Sequence, residues 1–310
     1  MAVALITHRA CLAHDPGRGH PESPARLRAV LDALESEEFA PLLREAAPEA
    51  TREALLRVHT PSYVEEILSI APEAGEYRAL DADTVMSAGS AEAALRAAGG
   101  AMAGVDAVME GWARASFVAV RPPGHHAERS RPMGFCLFNN VAVAALHARA
   151  RWSLPRVAVV DFDVHHGNGT ETIAAEDPDF FYGSSHQSPC YPGTGSAADH
   201  GIADNVVNVP LAPGSGSSAF RHAWRTAILP ALDRFSPDLL LVSAGFDGHK
   251  ADPLAELRLE VEDFAWLTGE LIRLADARTR GRIVSVLEGG YDLAALAASA
   301  QAHVRALMTG

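Results

Sequence analysis

What this chain lacks narrows its chemistry before any motif is read. It contains a single lysine, Lys250, and 39 acidic residues outnumber 26 basic ones, giving a formal charge of −13. That balance opposes nonspecific binding to nucleic acid or to an anionic membrane, while it suits a cationic substrate. The three cysteines, Cys11, Cys136 and Cys190, are scattered, without the paired spacing of a zinc finger or a disulfide framework. They point to a reducing, cytoplasmic setting. No stretch approaches the roughly 18 apolar residues that a membrane-crossing helix requires. The apolar run at the N-terminus lacks a basic flank and ends at His8 and Arg9, so it reads as a buried first strand, not a signal peptide. Nothing resembles a serine elbow. The Gly193-Thr-Gly195 turn lacks the lysine and spacing of a phosphate loop.

What is present is an alternation. Short runs rich in Val, Ile, Leu and Phe fall at 3–6, 117–120, 157–160, 206–209, 239–242 and 283–287. Helix-like stretches rich in Ala and Leu lie between them, at about 91–109, 140–150, 219–235, 261–277 and 293–308. A further helix starts at Pro24 with Ser23 as its N-cap and turns Leu27, Val30, Leu31 and Leu34 to one face. This pattern predicts an α/β fold with a mostly parallel sheet covered on both faces. At 48% hydrophobic residues the chain can bury a substantial core, and no linker or repeat divides it. One domain over 1–310 is expected.

Polar patches follow these runs, at the strand ends where open α/β sheets bind ligands. In Asp161-Phe-Asp163-Val-His165, alternate residues of an extended segment share a face. Asp163 and His165, joined by Asp247 from another strand end, would hold one metal ion. Three protein ligands with an open position are the pattern of catalytic zinc, though Fe(II), Co(II) or Mn(II) suits the same donors. Asp161 would then orient a histidine. Gly167 and Gly169 allow backbone to crowd around a bound group.

The turn Arg121-Pro-Pro-Gly-His125-His126 supplies two adjacent imidazoles. Hydrolysis with a metal-activated water needs a base for the water and an acid for the leaving amine. His126 is expected to serve as both, staying neutral until it takes the proton, with His125 held charged by a carboxylate such as Asp161. Tyr291, after two glycines, would donate a hydrogen bond to the developing oxyanion.

These residues carry a resemblance. The stretches at 20–27, 57–63, 121–126, 134–140, 161–169, 191–195, 243–247 and 287–291 resemble the histone deacetylase and acetylpolyamine amidohydrolase family, in its class II-like bacterial branch. The scarcity of lysine against arginine fits a GC-rich bacterial genome. The resemblance implies an arginase-like α/β domain around an eight-stranded, mostly parallel sheet, and zinc-dependent cleavage of acylated amines. It places a channel between Phe135 and Tyr191, with Gly134 near the floor, Asp83 at the rim and Arg26 beside an inner pocket. It also implies a structural potassium ion near Asp161, Asp163, His165, Ser184 and Ser185. Asn168 stands where class I members have an aspartate, which would leave His126 less basic. Polyamine-selective relatives would have a carboxylate at the position of Leu254 or elsewhere at the rim.

The resulting expectation is a zinc-dependent amidohydrolase that removes acetyl or longer acyl groups from lysine side chains of proteins or peptides. An acetylpolyamine or other small acetylated amine is the alternative substrate. A ureohydrolase of the same fold would need more carboxylates around two manganese ions, and a pocket-bearing binding module would need no His126. A homo-oligomer is compatible with the Ala- and Leu-rich helices, as is ordinary burial.

Overall fold

A computed structural model describes residues 2–310. Its main sheet has eight strands: β1 (Val3–Thr7), β2 (Leu43–Ala46), β5 (Ala115–Val118), β6 (Val157–Asp161), β7 (Phe180–Gln187), β8 (Val206–Leu211), β9 (Leu239–Ala244) and β10 (Ile283–Leu287). A small antiparallel pair, β3 (Arg78–Ala79) and β4 (Val85–Met86), lies outside it. The sheet order is β2-β1-β5-β10-β9-β6-β7-β8, and every pairing in it is parallel. The expected mixture is thus wholly parallel.

Strand alternation shows how both faces are covered. Ser116 donates to Gly104 O of helix α4 (Ser90–Glu110), while its neighbour Phe117 stacks edge-on with His303 of helix α10 (Leu293–Thr309). Helix α5 (Asn140–Trp152) packs beside α4, and helix α9 (Val261–Arg278) packs beside α10. Phe162 and Phe246 meet His303, and Phe264 packs against both phenylalanines in the same aromatic cluster. Each fully buried phenylalanine there contributes about 2–3 kcal/mol of transfer free energy.

Several expectations shift. The run 117–120 forms a strand two residues earlier, over Ala115–Val118. Ser23 occupies the N-cap position of helix α1 (Pro24–Ala33) in extended conformation, but its hydroxyl makes no capping bond. The helix expected over 219–235 begins at Ser217 and carries a π turn over Trp224–Ile228, where the Trp224 indole donates to Ser185 Oγ.

The strand order positions the site. Strands β5, β10, β9 and β6 are neighbours in the middle of the sheet, although they lie far apart in sequence. Their carboxyl ends lead into the His125-His126 turn, Glu288 to Tyr291, Asp247, and Asp161 to His165 respectively.

Candidate metal centre and active site

Strand β6 ends at Asp161, and the chain then descends through two carboxylate-capped turns, not through an extended segment. Asp161 Oδ1 accepts the Asp163 N–H at 3.1 Å, and Asp163 Oδ1 accepts the His165 N–H at 2.9 Å. Each turn returns the next ligand to the same side, so Asp163 and His165 meet as expected, by a different local geometry. Asp247 joins them from the end of β9. One atom from each of the three lies within 4.8 Å of the others.

All three are buried, and their carboxylate oxygens are held. Asp247 Oδ1 accepts the Val164 N–H at 2.8 Å, and Asp163 Oδ2 accepts the Gly289 N–H at 2.8 Å. His165 Nδ1 lies 3.1 Å from Asp163 Oδ1 and 3.2 Å from Asp247 Oδ2. A Cβ on Gly289 would sit 2.0 Å from Asp247 Oδ2, and one on Gly245 would sit 2.0 Å from Asp163 Oδ2. Glycine at both positions therefore lets backbone wrap the carboxylates. Burial and the like charge of Asp163 push Asp247 up to about 7. The His165 imidazole is driven well above its usual range, as Asp163 and Asp247 outweigh its burial. A buried pocket with this excess of negative charge fits a small divalent cation, which would keep both carboxylates ionised and the imidazole neutral.

Asp161 leaves this group and serves the histidine turn. Its Oδ2 lies 3.0 Å from His125 Nδ1 and accepts from the Tyr182 hydroxyl at 3.2 Å. Burial opposes a charge on His125, but Asp161 and Asp163 outweigh it and push the imidazole up to about 10. His126 is the reverse: burial and the charges of His125 and His165 hold it well below the usual range. Its Nδ1 is 2.9 Å from Asn168 Oδ1. Asn168 Nδ2 donates to Glu128 Oε1 at 2.8 Å, which fixes the amide's orientation and assigns the His126 proton to Nδ1. Nε2 is then left with a free lone pair.

Tyr291 is half-buried, with the Arg26 guanidinium 4.7 Å from its ring centre. Burial, together with Asp247 and Asp163, raises its phenol well above the usual range despite that cation. A cavity of about 210 Å³ is lined by Asp83, His126, Gly134, Phe135, His165, Tyr191, Leu254 and Tyr291. All five residues assigned to a channel by resemblance therefore meet the cluster in one space. A larger cleft of about 590 Å³, lined by Lys250, Glu256 and Arg258 among others, holds none of these groups. Gly134 is required at the floor, because a Cβ there would lie 2.3 Å from His126 Cδ2.

Arg26 is wholly buried and donates to Glu22 Oε1, Glu288 O and Gly290 O, so it grips the loop that carries Tyr291. Ser184 lies in register with Asp161, whereas the Ser185 hydroxyl faces Trp224. Sequence reasoning missed Glu288 as a working group. Its Oε2 accepts the Gly124 and His125 N–H groups at 2.7 and 3.2 Å, holding the histidine turn in place. It also missed Glu22, buried between Arg26 and Arg121. The adjacency of Glu288 to the Gly-Gly-Tyr stretch was the available signal for the first; Glu22 had only its place four residues before Arg26.

Comparison with known sequences decides the family: a profile described as "Histone deacetylase domain" matches residues 20–307. The chain belongs to the histone deacetylase family. It is 42% identical to the histone deacetylase-like amidohydrolase of Pseudomonas aeruginosa, over 88% of this chain and 73% of that one. It is 40% identical to the chloroplastic histone deacetylase 14 of Arabidopsis thaliana, over 96% and 75% of the two chains. A probable deacetylase of Methanothermobacter thermautotrophicus is 43% identical over 93% and 86%. The crystal structure of the HDA15 HD domain superposes with a TM-score of 0.92 at 35% identity, covering 99% of this chain and 88% of that one. This histone deacetylase family member is a hydrolase of the deacetylase class, with the eight-stranded parallel fold of that group.

Proposed function

We propose that the chain, as one catalytic domain over 1–310, is a zinc-dependent deacylase acting on acetyl or longer acyl groups of lysine side chains in proteins or peptides. The observation that carries this reading is the bare Nε2 of a neutral His126 in the same narrow cavity as His165 and Tyr291. Bound by Asp163, His165 and Asp247, zinc (or Fe(II) or Co(II)) would supply Lewis acidity toward the water and the amide carbonyl. His126 Nε2 takes a proton from the attacking water and returns it to the amide nitrogen as the C–N bond breaks. The products are the free amine and the carboxylic acid. His125, charged and locked to Asp161, adds fixed positive charge beside the reacting centre. Tyr291, keeping its proton, donates a hydrogen bond to the carbonyl oxygen as negative charge develops there.

Gly134, Phe135 and Tyr191 wall the apolar stem of the acyl-lysine, and Leu254 offers an apolar contact at the rim. Asp83 accepts from a backbone N–H of the substrate. Arg26 borders the route of the released acid. A structural potassium ion sits near Asp161, Asp163, His165, Ser184 and Ser185 in this reading. The acidic balance argues against nucleic acid and membrane partners and is consistent with a cytoplasmic enzyme; among the described residues no helix is long and apolar enough to cross a membrane.

Turnover by zinc-loaded protein on acyl-lysine peptides of increasing chain length, against acetylated putrescine, cadaverine and spermidine, tests this. Preference for peptides supports it. Asp81 and Asp83 beside the cavity favour the second reading, a small acetylated polyamine, and preference for polyamines would establish that instead.

A further inference from the structure

The rim carboxylate is not free-standing. Asp83 lies in the turn between β3 and β4, where Asp81 Oδ1 accepts the Asp83 and Thr84 N–H groups at 3.0 and 2.7 Å. The Phe135 N–H donates to Thr84 Oγ1 at 3.1 Å, and that hydroxyl donates to Asp83 Oδ1 at 3.0 Å. This relay orients one carboxylate oxygen from the channel wall. A third segment, leading into α1, closes the arrangement. His20 Nε2 lies 3.0 Å from the Asp83 carbonyl oxygen. A carbonyl only accepts, so Nε2 carries the proton, and Nδ1 accepts the Glu22 N–H at 3.1 Å. The same ring meets Phe135 edge-on, with centroids 4.9 Å apart. Phe135 holds a left-handed backbone, φ 69°, a conformation that an aromatic residue keeps only where its surroundings hold it.

We infer that His20 is a positioning residue for substrate selection, joining the Asp83 turn to the Phe135 wall so that the rim carboxylate faces a substrate backbone amide. His20 does not line the cavity, so it acts through Asp83 and Phe135 alone. Substrates with amides flanking the acylated lysine depend on this clamp; an acetylated diamine, which has none, does not. The inference rests on the reading that Asp83 meets the substrate at the rim.

The test compares zinc-loaded wild type, His20→Ala, His20→Gln and Asp83→Ala on an acetyl-lysine peptide and on N-acetylcadaverine, with amide hydrogen exchange of residues 78–86 followed in each. His20→Ala should raise KM for the peptide about tenfold, with kcat little changed and the diamine within about twofold. Exchange at 78–86 should quicken. His20→Gln, whose amide can donate from a similar place, should recover most of both effects. His20→Ala added to Asp83→Ala should cost the peptide nothing further. Equal losses on both substrates, or unchanged peptide KM with unchanged exchange, would overturn the inference. If wild type turns over neither substrate, the proposed function fails by itself. The exchange data then still judge the clamp, which stands only if Ala loosens residues 78–86 and Gln restores them.

Discussion

His126 and His303 are both buried, and burial lowers the basicity of both, yet their surroundings differ in one respect. His303, between α9, α10 and the sheet, has each ring nitrogen engaged by a hydroxyl, Thr268 Oγ1 at 2.6 Å and Ser285 Oγ at 2.7 Å. His126 has Nδ1 held by Asn168 and Nε2 bare toward a cavity. Burial and a depressed pKa are thus shared by a core histidine and a candidate base. The unspoken-for lone pair, facing a space a substrate can enter, separates them.

The largest expected effect tests that separation directly. His126→Ala should lower turnover about a thousandfold or more while the protein keeps its zinc, measured as metal content after gel filtration. His303→Gln should leave turnover within about twofold. Comparable losses in both variants would end the comparison. Second, Gly289→Ala should weaken metal affinity by roughly 10- to 100-fold, because its methyl intrudes on Asp247 and Asp163. Competition with a chromogenic chelator reads this, and unchanged affinity would remove the three-residue cluster as the binding site.

Third, His303→Leu leaves the Thr268 and Ser285 hydroxyls without this partner and should cost about 2–4 kcal/mol in denaturant unfolding. Wild-type stability should also depend on pH through His303, which burial pushes down to about 3 from 6.5. Above pH 6.5 folded and unfolded forms are both neutral there, so this residue adds no slope. Below it the unfolded chain binds a proton that the folded chain refuses, and stability falls by up to about 1.4 kcal/mol per pH unit. The slope between pH 6.5 and 5 should shrink in His303→Leu; an equal slope would refute the assignment. The smallest effect sharpens the chemistry: Asn168→Asp should move the acid limb of the kcat/KM profile upward by about one pH unit, by giving His126 a charged partner. No movement would mean that the limb belongs to another group.

The sequence made the central strands legible because each is a continuous apolar run, as buried parallel strands require. Strand β7 escaped notice because Ser184, Ser185, His186 and Gln187 make its second half polar. In that half Ser184 lies in register with Asp161, and His186 meets Ser184 and the 188–195 loop. Strand β2 was missed as a four-residue edge with every side chain exposed. At the site, Asp163, His165, Asp247, His126 and Tyr291 could be picked out because they follow strands at short spacing. Glu128 and His20 do not, and Glu288, though it directly follows β10, carries no sign in sequence that its carboxylate holds the histidine turn. Each acts by what it touches across the fold, and a buried carboxylate reads in sequence like a solvated one.

The position of β10 has a further consequence. It is the last strand in chain order, yet it fills the gap between β5 and β9 and delivers Gly289 and Tyr291 to the site. Without residues 283–291 the other seven strands of the main sheet are split into two groups, with two bare inner edges and no Tyr291 at the site. Closing the sheet and completing the proposed hydrolytic site are therefore one event. Loss of even the final tenth of the residues described would leave a body that cannot close, not a weakened enzyme.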